Sequence, residues 1–178
     1  GVFDRVVNDL GVPRTSFKAT DIVTICNTLK SPDGLHTYRR VTNITEVRKS
    51  WSDDPMKENA FVDLMTYDSK EDKLKPTDTL LNGESVILNR IASNVREWKN
   101  DWDAVWNNIQ LRKNIKKRVV ELARKSNKDR ILEAGFAVEA NEKFHSLSEK
   151  VKREYGSLDS DRIYNRWNEW AKKAVKEF

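Results

Sequence analysis

Apolar and polar positions change their period along this chain, and the changes mark its parts. Val2, Phe3, Val6, Val7 and Leu10 fall on one stripe at helical spacing, so residues 1–10 predict an amphipathic helix. Gly11 and Pro13 then supply a stop. The pattern next turns strand-like: an apolar run Ile22–Cys26, a turn Ser31-Pro32-Asp33-Gly34, and a β-branched run Tyr38–Val47. Two such runs around a Pro/Gly turn predict a hairpin. Phe61–Tyr67 predicts a further strand, with a polar turn Asp68–Asp72 and a short return Lys73–Lys75 before Pro76.

Beyond Pro76 the period becomes helical and stays so. Asp78 or Thr79 is placed to cap a first helix. Val86, Ile87, Ile91, Val95, Trp98, Trp102, Val105, Trp106 and Ile109 then recur at helical spacing. That run needs a break, and Asn100-Asp101 offers it, with Asp101 as the next N-cap and the helix reaching about Lys125. A third helix is expected over 131–155, broken near Gly135. Gly156 to Ser160 ends it and caps a last helix carrying Ile163, Trp167, Trp170, Ala174 and Phe178. The fold class that follows is α+β, with a strand-rich domain over 1–78 and an all-α helical domain over 79–178.

Charge follows the same division. Residues 1–78 hold 12 Lys+Arg and 13 Asp+Glu, whereas residues 79–178 hold 21 and 15, so the net +5 comes from the helical part. No run approaches the length of a membrane-spanning helix, and no secretory signal pattern opens the chain. A single cysteine excludes an internal disulfide. Its place in the apolar run predicts a buried, inert thiol and a reducing compartment.

Several segments carry a resemblance to a known family. Leu10-Gly11-Val12-Pro13 is followed by Ser16-Phe17-Lys18-Ala19-Thr20-Asp21, the apolar strand, and Arg39-Arg40-Val41-Thr42-Asn43-Ile44-Thr45-Glu46-Val47. Trp51, Asp54-Pro55 and Trp102-Asp103-Ala104-Val105-Trp106 add to the series. In this order they resemble the C-terminal part of the archaeal ATPases of type II secretion, type IV pilus and archaellum assembly. The resemblance covers residue 3 to about residue 108. It implies that the strand region is the hairpin end of a RecA-like α/β core, followed by a helical C-terminal domain. The parent machine it implies is a homo-hexamer that binds ATP and Mg²⁺ and drives a membrane platform protein. Such a motor is cytoplasmic and peripheral at the membrane. In that family the nucleotide-binding boxes precede the first residue here, so no catalytic residue is carried over. A chain opening inside a helix is also what a piece of a longer protein would show, and strands with uncovered apolar edges are expected to fold through an oligomer or against the helices.

The residues themselves supply little chemistry. No Gly-x-x-x-x-Gly-Lys-[Ser/Thr] occurs, so no phosphate-cradling loop is predicted. With His36, His145 and Cys26 as the whole stock of soft ligands, no structural zinc is expected. The reading therefore contains no catalytic, cofactor or metal residue. Asp53-Asp54 and Asp101/Asp103 read as turn and cap carboxylates rather than acid/base pairs. Arg39 and Arg40 read as strand residues facing acidic neighbours, with contact to a neighbouring subunit as the lesser alternative. Trp98, Trp102, Trp106 and Trp170 read as core packing, with a partner-docking face next and a base-stacking platform last. The one candidate interaction surface is the basic run Arg112, Lys113, Lys116, Lys117, Arg118 and Arg124. A solvated helix face is its ordinary explanation, with an acidic protein or lipid surface next and nucleic acid last. A stand-alone basic helical module for nucleic acid or an acidic protein is thus the alternative to the motor reading.

Overall fold

The computed structural model describes all 178 residues and is α+β. It divides into two compact units, Gly1–Asn100 and Asp101–Phe178.

The first unit opens with α1 (Val2–Asp4), which runs on as a π-helical turn over Arg5–Asp9. Gly11, at φ +68°, turns the chain where an L side chain would be strained, and α2 (Arg14–Phe17) follows. A four-stranded antiparallel sheet comes next: β1 (Ile22–Lys30), β2 (Thr37–Val47), β3 (Phe61–Asp68) and β4 (Lys73–Pro76). The order is β1-β2-β3-β4, so each strand pairs with the one before it. The expected hairpin is present, with Ser31 N–H bonded to the His36 carbonyl at 2.9 Å and Gly34 at φ +72°. Pairing of β2 with β3 covers only Asn43–Val47, so the outer halves of β1 and β2 form a two-stranded ribbon.

A small apolar cluster of Phe3, Phe17, Val47, Trp51 and Ala60 anchors α1 and α2 to the sheet. Its rings meet edge to face, Phe3 to Phe17 at 5.1 Å and Phe3 to Trp51 at 5.7 Å. Cys26 is not in a core: it is exposed. β1 is the outer strand, and Cys26 lies where the ribbon begins, so an apolar run that reads as a buried strand has almost no cover.

Helices α3 (Asp78–Leu81) and α4 (Val86–Ala92) also belong to this unit. The cap of α3 is Thr77, whose hydroxyl accepts from Leu80 N–H and donates to the Asp63 carbonyl at 2.8 Å. That bond ties α3 to the sheet, and the division of the chain falls at residue 100 instead of 78. Trp98 follows α4 in a non-helical turn, so it does not continue a helical stripe.

The second unit holds three long helices. Asp101 caps α5 (Trp102–Ser126) by accepting from Ala104 N–H at 2.9 Å, and Asn127 ends it in a left-handed conformation. A 3₁₀ turn (Asp129–Leu132) leads to α6 (Ala134–Tyr155), which Gly156 closes at φ +77°. Asp159 caps α7 (Ser160–Glu177). One continuous core runs through all three, from Leu111, Ile115 and Leu122 to Phe136, Phe144, Val151, Ile163 and Trp167. Trp167 is fully buried, and its indole N–H donates to the Ala140 carbonyl at 3.0 Å. Trp170 packs against this core, stacked on Phe136 at 5.9 Å. Trp102 and Trp106 are only half-buried and stack on each other outside it. The expected tryptophan stripe is therefore not the core: α5 buries Val105, Leu111, Ile115 and Leu122 instead. No helix is long and apolar enough to cross a membrane.

Candidate functional site

The Arg39–Val47 segment becomes strand β2, and its polar residues are fastened to neighbours in the same unit. Glu46 is fully buried. Its carboxylate accepts from Ser85 Oγ at 2.7 Å, from the backbone N–H of Val86 and Ile87 at 3.3 and 3.2 Å, and from Arg48 Nε at 2.9 Å. A strand carboxylate thus sits on the N-terminus of α4, where orphan N–H groups and the helix dipole favour negative charge. Burial pushes the Glu46 carboxyl up, but the four hydrogen bonds outweigh it and hold the group below its ordinary range.

Arg40 grips Asp72 with two bonds, 2.6 and 2.7 Å, and Tyr67 donates its hydroxyl to the same carboxylate at 2.8 Å. These donors hold the Asp72 carboxyl down at about 2. The cluster ties the ribbon back to the β3–β4 turn, and so Arg40 does face an acidic neighbour. Asn43 and Thr45 both donate to Asp63 on β3. Lys49 and Arg90 each approach Asp21 at 2.9 Å, and these two cations lower its pKa.

A second carboxylate cage lies beside Trp51. Glu58 accepts from the successive N–H groups of Ser52, Asp53 and Asp54 at 2.8, 2.7 and 3.0 Å. Asp54 in turn accepts from Met56 N–H and serves the turn as expected, whereas the side chain of Asp53 pairs with Arg14 of α2. Runs of backbone N–H groups and helix N-termini are what a phosphate would use. Here Glu58 fills the Ser52–Asp54 run, and Glu46, Asp101 and Asp159 stand at the starts of α4, α5 and α7. A phosphate would meet a carboxylate at each of these four positions, whereas the start of α6 carries no side-chain cap. His36 in the hairpin turn and His145 on α6 join no cluster able to hold a metal ion.

The six basic residues of the expected surface differ in their side-chain partners. Arg118 is largely buried; its Nε donates to Asn168 on α7 at 2.8 Å, and its Nη1 pairs with Glu121 at 3.1 Å. Lys117 lies 3.8 Å from the same Glu121. Lys113 donates to Gln110, and Arg124 is exposed in the last turn of α5. Arg112 and Lys116 differ from these. Both line a groove of about 190 Å³ between α5, the 3₁₀ turn and α6. Arg112 is held there by Asn108 Oδ1 at 3.0 Å and lies over the Phe144 ring at 4.6 Å.

Sequence reasoning found the cations but not the apolar floor between them, Ile115, Val119 and Phe144. The 4-4-3-4 spacing of Phe136, Ala140, Phe144, Leu147 and Val151 carried that signal. Glu46 and Glu58 were also missed as anchors. A charged residue within a β-branched run has no local signature of what it will bond. No protein-family model and no curated protein matches this chain.

Proposed function

We propose that this chain is the C-terminal part of a secretion or pilus-assembly motor ATPase. It contributes RecA-like core strands and a helical interaction domain, and it does no nucleotide chemistry of its own. The observation that carries the reading is the state of β1. This nine-residue strand is the outer strand of the sheet, and Ile22, Ile25 and Cys26 are exposed along it. A long edge with exposed apolar residues, whose one charge is Lys30 at its end, is a liability unless another strand or layer covers it. A sheet that continues into the rest of a RecA-like core supplies such a cover. The ordered series of family-like segments supports the same reading, because its polar members are spent on fastening strands and helices. The parent motor on this reading is a homo-hexamer, peripheral at the cytoplasmic face of a membrane and coupled to a platform protein.

The test is nucleotide binding by the chain as it stands. Titration with a fluorescent ATP analogue in Mg²⁺ is expected to give no saturable signal; a saturable micromolar affinity would overturn the reading. Sequencing the gene upstream of the Gly1 codon is the complementary measurement. A Gly-x-x-x-x-Gly-Lys-[Ser/Thr] loop there is the expected result.

A second reading, a stand-alone basic binding module, is favoured by one observation. Residues 101–178 hold 18 Lys+Arg against 13 Asp+Glu, while residues 1–100 hold 15 of each. All of the net charge thus lies in the helical unit. Under this reading, neutralising Lys113, Lys116, Lys117 and Arg118 abolishes binding to an acidic partner.

A further inference from the structure

The groove of the helical unit is built in an unusual way for three helices. α7 packs against both α5 and α6, and the 3₁₀ turn packs against both as well. Between themselves, α5 and α6 meet through side chains such as Arg112 over Phe144. The result is an open cleft between two helices that share a third as their base. In a four-helix bundle this is the place of the fourth helix.

The lining is chemically one-sided. The lining is apolar: Ile115 and Phe144 are buried beneath it, while Val119 is half-buried and Leu132 exposed. Arg112 and Lys116 stand on the α5 side and form no ion pair with any carboxylate of the chain, whereas Lys117 and Arg118 share Glu121. The α6 side presents Ala137 and Asn141, which carry no charge. Arg112 is positioned before anything binds, because Asn108 and the Phe144 face fix its guanidinium. At about 190 Å³ the cleft is below the roughly 300 Å³ at which pockets enclose drug-sized ligands. It has room for anchoring side chains of something larger.

We propose that this cleft receives an acidic amphipathic α-helix from a partner protein. Apolar residues of that helix, spaced i, i+3 or i+4, seat on Val119, Leu132 and Ala137. Carboxylates on its flank pair with Arg112 and Lys116. The apolar floor argues against nucleic acid, whose phosphate backbone would gain nothing from it. The neutral α6 rim gives the partner helix one charged flank and one uncharged flank. This deepens the reading of residues 101–178 as an interaction domain and is independent of whether the chain belongs to a motor, since no nucleotide enters the test.

The full chain would be titrated by fluorescence anisotropy with three labelled model peptides of equal length. One carries Leu at helical spacing with Glu flanks, one the same Leu pattern with Lys flanks, and one the Glu composition in scrambled order. The Glu-flanked helix is expected to bind at least tenfold more tightly than either control. The groove-filling variant Ala137→Trp and the charge reversal Arg112→Glu/Lys116→Glu are each expected to weaken it at least tenfold. Ala137 is exposed, so its variant should retain the parent's thermal melt. Neutralising Lys113 and Arg124, which lie outside the cleft, is expected to change affinity less than twofold. Equal binding of the scrambled peptide, or an Ala137→Trp variant that binds as the parent does, would overturn the proposal. So would binding to anionic phosphatidylserine vesicles or duplex DNA that survives both groove variants while the Glu-flanked peptide fails to bind.

Discussion

The two units of this chain are held together by different physics. Residues 101–178 have one continuous apolar core shared by three long helices, with capped ends and a fully buried tryptophan at its centre. Residues 1–100 have a five-residue apolar cluster and depend on cross-linked polar groups: Glu46 on α4, Glu58 in its cage, Asp63 between strands, and Asp72 in the ribbon. An apolar core is tolerant, because its energy is spread over many contacts. A buried carboxylate is not, because removing one partner leaves several others unsatisfied. The helical unit should therefore be the autonomous one, and the sheet unit the one that needs company.

Cutting the chain at the unit boundary sharpens this contrast most. Residues 101–178 alone are expected to melt cooperatively by circular dichroism at a concentration-independent temperature. Residues 1–100 alone are expected to melt at least 10 °C lower and to associate through β1, as sedimentation would show. A monomeric, equally stable 1–100 piece would break the comparison. Within the helical unit, Trp167→Ala is expected to cost about 4 kcal/mol in urea denaturation, the range for a large buried aromatic. Within the sheet unit, Glu46→Gln keeps the shape but weakens the cap of α4 and the Arg48 contact, at about 2 kcal/mol. Loss of α4 amide protection ahead of any other segment, measured by hydrogen exchange, would mark the damage as local to the cap.

Acid should separate the units next. Asp72 lies near 2 in the folded chain, below its ordinary 3.8, so the stability it contributes is present above about pH 4 and is lost as pH falls towards 2. Glu46 and Asp21 are depressed in the same direction, and both lie in the sheet unit. The sheet unit is expected to unfold first on acidification. Asp72→Asn should lower its melting temperature at pH 7, by an amount that shrinks as the pH falls towards 2. The smallest effect belongs to Cys26→Ser, expected to stay within about 0.5 kcal/mol of the parent, as exposed substitutions do. Cys26 should also react with a water-soluble maleimide in the native state, which a core thiol would resist.

What could be read from residue order was local chemistry. The cap at Asp101, the stop and cap within Gly156–Ser160 and the hairpin turn at Ser31–Gly34 all depend on neighbours a few positions away and stand where the pattern places them, while the cap of α3 falls on Thr77 instead of Asp78 or Thr79. Readings that needed to know what lies across the fold fared differently. Cys26 has the neighbours of a core residue but sits on an outer strand. Trp98 has helical spacing but follows the end of α4. α4 reads with the helices that follow it, yet a carboxylate 39 residues upstream of Ser85 draws it to the sheet. The basic run on α5 was visible as charge. Its division into paired and unpaired cations depended on Glu121, Asn168 and the Phe144 ring, which only packing brings into place.

The meander order of the sheet has a consequence for how the chain is made. Because every strand pairs with the one just before it, the sheet can assemble step by step as synthesis proceeds at roughly 5–20 residues per second. The Glu58 cage closes over a span of six residues or fewer and forms as soon as it emerges. Glu46 cannot find Ser85 until two more strands and a helix have followed, so its carboxylate stays hydrated for several seconds of translation. Its desolvation is the last step of the first half of the chain, and a chain that has released β4 but not yet Ser85 holds a meander that has not yet locked.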